Sequence, residues 1–72
     1  MKITVYGNLV TCPKCKMVHK KLEEKGVEFE FIDNEEVVFE VAEKLGFMGI
    51  PFALIGNEAY NSNELIKYVM KL

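Results

Sequence analysis

Residues 2–6, Lys2-Ile3-Thr4-Val5-Tyr6, are rich in β-branched and aromatic side chains and stop at Gly7-Asn8, which predicts a strand. Its mostly apolar character predicts a central one. A helix is predicted from about Pro13 to Lys25. Proline is tolerated in a first turn, Gly26 supplies a stop, and Lys20, Lys21 and Lys25 suit the negative helix end. Cys15, Val18 and Leu22 recur at helical spacing and form the inner stripe, so Cys15 faces the body of the protein and Cys12 its exposed mouth. Residues 27–32 alternate Val27, Phe29 and Phe31 with Glu28 and Glu30, a strand with one polar face or a charged edge. A helix between two such strands implies a right-handed parallel βαβ unit.

The second half follows the same logic. Asp33 with Glu36 reads as a capping box for a helix whose stripe is Val38, Val41, Ala42 and Leu45, ended by Gly46. Residues 52–55 and 58–60 flank Gly56-Asn57, a two-residue signature of an antiparallel hairpin. Asn61 with Glu64 opens a last helix, with Leu65, Val69 and Leu72 on its inner face. The order β-α-β-α-β-β-α describes one α/β domain over residues 1–72, a small mixed sheet covered by helices.

Seventy-two residues, half of them hydrophobic, suit a single compact core and exclude a disordered chain. A net charge of -2 and the absence of arginine give no reason to expect nucleic acid, and they leave lysine alone to meet any anionic ligand. No apolar run approaches a membrane span, and the opening Met1-Lys2 leads straight into a strand without a signal-peptide layout. A cytoplasmic location is therefore expected, where thiols stay reduced unless they are in use.

Both cysteines fall in Thr11-Cys12-Pro13-Lys14-Cys15, at the junction of the first strand and first helix. A disulfide across so short a loop removes little entropy from the unfolded chain, so the pair is not a staple and reads as a redox couple. The helix N-terminus offers partial positive charge and free N–H groups, which stabilise a thiolate on Cys12. Thr11, Pro13 and Lys14 support the site, and Lys14 and Lys16 add positive charge. Cys12 is thus the expected nucleophile and Cys15 the resolving thiol. His19 would complete only three ligands with the cysteines, one short of a structural zinc site, so no metal is expected and His19 is assigned to an exposed helix face. Met17, Met48 and Met70 are assigned to packing.

These residues resemble the glutaredoxins of the thioredoxin superfamily over essentially the whole chain. Val5-Tyr6 leading into Cys12-Pro13-Lys14-Cys15 is similar to the family's active-site segment, and Ile50-Pro51 to its cis-proline opposite the dithiol. Asn61-Ser62-Asn63 stands where the family has a Gly-Gly turn. The resemblance implies a thioredoxin-like fold, a four-stranded mixed sheet with three flanking helices. It also implies a cis Pro51 and substrate binding through Ile50, Pro51, Asn61, Ser62 and Asn63. It implies a monomeric thiol-disulfide oxidoreductase with no bound cofactor, acting on protein disulfides.

Several glutathione-contacting features of the family are missing. Leu9 replaces a basic residue, Asn61-Ser62 replaces Gly-Gly, and Asp33, Glu35 and Glu36 make an acidic run where a cation often helps. This shifts weight toward the short redoxins that thioredoxin reductase recharges from NADPH and that feed ribonucleotide reductase, although the aromatic-Ser-Gly-Phe run of that group is absent too. For such a protein partner, an apolar rim is expected from Leu9, Val10, Phe47, Met48 and Ile50. Two alternatives stay open: a glutathione-dependent glutaredoxin, and a module in which two chains hold an iron-sulfur cluster through Cys12 and glutathione.

Overall fold

The strand β1 (Ile3–Tyr6) is apolar because it is walled in on both sides and both faces. The computed structural model of the chain describes residues 2–72. In it β1 lies between β2 (Phe29–Ile32), to which it is parallel, and β3 (Phe52–Ile55), to which it is antiparallel. A fourth strand, β4 (Glu58–Tyr60), pairs antiparallel with β3 and completes the order β2-β1-β3-β4. The register sets Ile3 between Phe29 and Ile55, and Tyr6 between Ile32 and Phe52. Successive side chains therefore alternate between two cores, as the period of a strand requires.

On one face, helices α1 (Pro13–Glu24) and α3 (Ser62–Met70) pack over Ile3, Val5, Ala53 and Ile55 through Val18, Leu22, Leu65 and Val69. The other face is thinner. There α2 (Glu35–Leu45) covers Tyr6 and Phe52 with Val38 as its one buried residue, aided by the half-buried Val41, Ala42 and Leu45. Tyr6 and Phe52 stack with ring centroids 5.1 Å apart, and Phe47 meets Phe52 edge-on at 5.4 Å. At about 1.5–3 kcal/mol for each large aliphatic or aromatic side chain fully buried, the α1/α3 face holds most of the stabilisation. The α2 face is the softer half of the molecule.

Helix ends follow from capping. The N–H groups of Gly26 and Val27 close α1 onto the carbonyls of Glu23 and Leu22, and Gly46 and Phe47 repeat the pattern at the end of α2. Gly26 and Gly46 take φ of 66° and 73°, a conformation other residues adopt at a cost. The Asn61–Glu64 capping box is present as expected. At α2 the cap is Asn34 and not Asp33. The Asn34 side-chain oxygen accepts from the N–H groups of Glu36 and Val37 at 3.1 and 3.4 Å, and with the helix starting at Glu35, Asp33 lies one residue too early to reach them.

Four further expectations shift. The second strand begins at Phe29, because Val27 is spent closing α1. Leu72 lies beyond the end of α3 and is exposed. Met48 and Met70 are exposed, and of the three methionines assigned to packing only Met17 meets the core. His19 is half-buried: its ring lies edge-on to Phe29 and Phe31 while Nδ1 sits 2.7 Å from the Glu23 carboxylate, so the aromatic row of β2 draws it in.

The capping geometry separates two neighbours that look alike in sequence. Asn34→Ala is expected to lower stability by about 1 kcal/mol and Asp33→Ala by much less, read from urea unfolding followed by circular dichroism.

Candidate active site

The loop from β1 to α1 is organised by Asn8. Its side-chain oxygen accepts from the N–H groups of Val10 and Thr11 at 2.7 and 3.1 Å, the Asx-turn arrangement for which asparagine is favoured in loops. Its carbonyl accepts from the Cys12 N–H at 3.3 Å, and its own N–H points at the Cys15 sulfur at 3.4 Å. One residue thus ties down the loop and touches both ends of the dithiol motif.

Cys12 is the N-cap of α1, with extended backbone and Pro13 behind it in the first helical turn, where a missing N–H costs nothing. Its sulfur accepts the Cys15 N–H at 3.3 Å, in the position where a serine or aspartate oxygen usually caps. Cys12 is half-buried and Cys15 is fully buried, and both are free thiols. Burial, reinforced by the hydrogen bond and charge of Cys12, pushes the Cys15 thiol up to about 12 against the partial relief of the Asn8 N–H. The two sulfurs therefore differ in access, and the buried one holds its proton well above the ordinary thiol range.

Gly7 makes this packing possible. A β-carbon at residue 7 would stand 2.6 Å from the Cys15 sulfur, closer than atoms tolerate, and a tight 3.3 Å from the Phe31 ring. Neither Gly7 nor Asn8 was singled out from the sequence as part of the site. The signals were present all the same, a glycine ending an apolar strand and an asparagine opening a loop, since the first often marks close backbone approach and the second a local turn.

The other wall comes from residues 47–50 and the bond they lead into. The Ile50–Pro51 peptide is cis and Pro51 is buried. The Ser62 hydroxyl donates to the Pro51 carbonyl at 2.7 Å, while the Asn61 side chain caps α3, so both polar groups are engaged within the fold. Asn63 is exposed in the first turn of α3. Thr11 and Ile50 line a common groove of about 880 Å³ with Gly7, Asn8 and the flank of α2, whereas Asn61, Ser62 and Asn63 lie outside it. Lys14 and Lys16 are exposed on α1. Of the expected apolar rim, Val10 and Met48 are exposed, while Phe47 and Ile50 partly pack against the α2 core.

This dithiol at a strand-to-helix junction, in a chain that also carries a buried cis-proline, agrees with the comparison to known families, in which the glutaredoxin model matches residues 3–59. The chain belongs to the glutaredoxin family. Its fold is thioredoxin-like. Among solved structures it is similar to the glutaredoxin-like protein NrdH-redoxin from Escherichia coli, described by a thioredoxin-like activity profile, with a TM-score of 0.75 and 29% identity over 100% of this chain and 95% of the other. No curated protein matches the chain. Glutaredoxins are in general thiol-disulfide oxidoreductases, and the two cysteines of this member are close, consistent with a redox CxxC motif.

Two outcomes are expected. Gly7→Ala should destabilise the reduced protein by about 1–3 kcal/mol through overpacking against the Cys15 sulfur, measured by urea unfolding. The stability that Cys15 contributes as a neutral thiol is complete below its ordinary value of 9.0 and is lost as pH rises toward 12, because the unfolded chain ionises first. Cys15→Ala should flatten that alkaline decline in unfolding curves taken across this window.

Proposed function

We propose that this chain carries electrons to protein disulfides as a dithiol thiol-disulfide oxidoreductase. Cys12, as thiolate, attacks one sulfur of the substrate disulfide, forms a mixed disulfide and expels the other sulfur as a thiolate that takes up a proton. Cys15 then bonds to Cys12 and gives its proton to the second departing sulfur. Two electrons and two protons pass to the substrate, and the Cys12–Cys15 disulfide remains.

The observation that carries this reading is the inequality of the two sulfurs. Cys12 sits at the open end of α1 and Cys15 beneath it, fully buried. Part of what holds the proton on Cys15 is the charge and hydrogen bonding of Cys12. Once Cys12 is tied up in a mixed disulfide that part disappears, and the resolving thiol ionises more readily at the moment it is needed.

For the electron source, thioredoxin reductase with NADPH is the better fit and glutathione the alternative. Leu9 stands where a cation would help, α2 opens with Glu35 and Glu36, and the side chains of Asn61 and Ser62 are already engaged. A charge-assisted hydrogen bond is worth about 1.5–3 kcal/mol, so the absence of two weakens capture of an anionic tripeptide by about two orders of magnitude or more. The thioredoxin-like activity profile described for NrdH-redoxin supports the same choice. A cytoplasmic monomer serving a disulfide-forming enzyme such as ribonucleotide reductase fits this picture.

Alkylation of the reduced protein at mildly acidic pH, followed by peptide mapping, should label Cys12 first; preferential labelling of Cys15 reverses the roles. Oxidised protein should turn over faster with thioredoxin reductase and NADPH than with glutathione, glutathione reductase and NADPH. The opposite order at physiological glutathione would return it to the glutathione-dependent members.

A further inference from the structure

The groove beside the dithiol has a composition that a bare thiol-exchange site does not need. Its floor is apolar, with Val38 buried and Phe47 half-buried, and two large side chains stand free at its edge: Phe39 is 68% exposed and Met48 fully so. Exposed residues of this size, gathered in one groove that Thr11, the chain neighbour of Cys12, also lines, mark a contact surface. Three carboxylates, Glu35, Glu36 and Glu43, line the same groove, and no lysine does among the described residues. The chain has no arginine at all.

The helix that forms this wall does not offset the charge. The N–H groups of Glu36 and Val37, which could have met an anion at the start of α2, are occupied by the Asn34 side chain. Glu43 lies in the last turn, where the helix carbonyls already carry partial negative charge. The nearest cation along the helix, Lys44, sits 3.8 Å from Glu40 and does not line the groove. An anionic ligand would therefore meet three carboxylates and few free donors, whereas a cation meets complementary charge over an apolar floor.

We propose that this groove is the docking site for an extended cationic segment of the substrate protein, in which lysine or arginine flanks the disulfide cysteine and an apolar side chain rests against Phe39 and Met48. The inference rests on the oxidoreductase reading and names the substrate class for the same site. When Cys12 joins the substrate cysteine, the neighbouring residues of that segment run past Thr11 and into the groove. Glu35, Glu36 and Glu43 act on encounter and orientation, as charges at the rim of an interface do, and Phe39 and Met48 supply the apolar contact.

The test uses two peptide disulfides of equal length and equal apolar content, one with lysines and one with glutamates beside the cysteine. Each is reduced in single turnovers by the dithiothreitol-reduced, desalted protein, and each rate is divided by that with dithiothreitol alone to remove intrinsic reactivity. The lysine peptide should be favoured about tenfold at low salt, and the ratio should shrink as salt is raised. In the Glu36→Gln/Glu43→Gln variant it should fall below about threefold, and Phe39→Ser should slow both peptides while keeping their ratio. A ratio near one, a preference for the glutamate peptide, or a ratio indifferent to both salt and Glu36→Gln/Glu43→Gln would overturn the proposal. An uncharged small disulfide with the wild-type protein tells the two readings apart. If neither it nor the peptides are reduced, the oxidoreductase reading itself fails and takes this one with it.

Discussion

At the dithiol end of the fold the approach of the chain leaving β1 to α1 depends on one contact, the seat of the Cys15 sulfur against the backbone of Gly7. The strand end, the first turn of the helix and the Phe31 ring of β2 converge there, with no space for even a methyl group. Much else in the site follows from that closeness. Asn8 can reach the buried sulfur with its N–H only because the loop leaves the strand at this depth, and Cys12 is delivered to the helix mouth because the loop closes on Asn8. Burial, with the hydrogen bond and charge of Cys12 behind it, keeps the inner thiol protonated.

The two faces of the sheet divide the labour. α1 and α3 lock onto a continuous aliphatic core, while α2 rests on a short aromatic stack with a single buried residue of its own. The side facing the dithiol groove is thus the less deeply anchored one, and small adjustments of α2 cost less there than a comparable shift of α1 would. The part that must stay fixed, the sulfur pair, is borne by the firm half.

How far the sequence could be read depended on how local each determinant was. The strand-helix junction, the redox pair, the inward face of Cys15 and the Asn61 cap were legible because each rests on neighbours within one turn. Asp33 and Asn34 are adjacent and chemically alike, and the spacing to Glu36 pointed to the wrong one. The fates of Met48, Met70, Leu72 and His19 turned on what another element places beside them, which periodicity does not carry. Gly7 is the clearest case: its importance lies in a residue eight positions away and appears only when the two are brought together.

The sulfur of Cys12 is also the cap of α1, and this double duty ties folding to oxidation state. By thermodynamic reciprocity, whatever free energy the helix end gains from a free sulfur over a bonded one is returned as a preference for the reduced form. A cap contributes about 0.5–2 kcal/mol, and for a two-electron couple that range corresponds to about 10–40 mV. The first turn of α1 is in this sense part of the electrochemistry: loosening it makes the protein a better donor, and tightening it makes the protein a better acceptor.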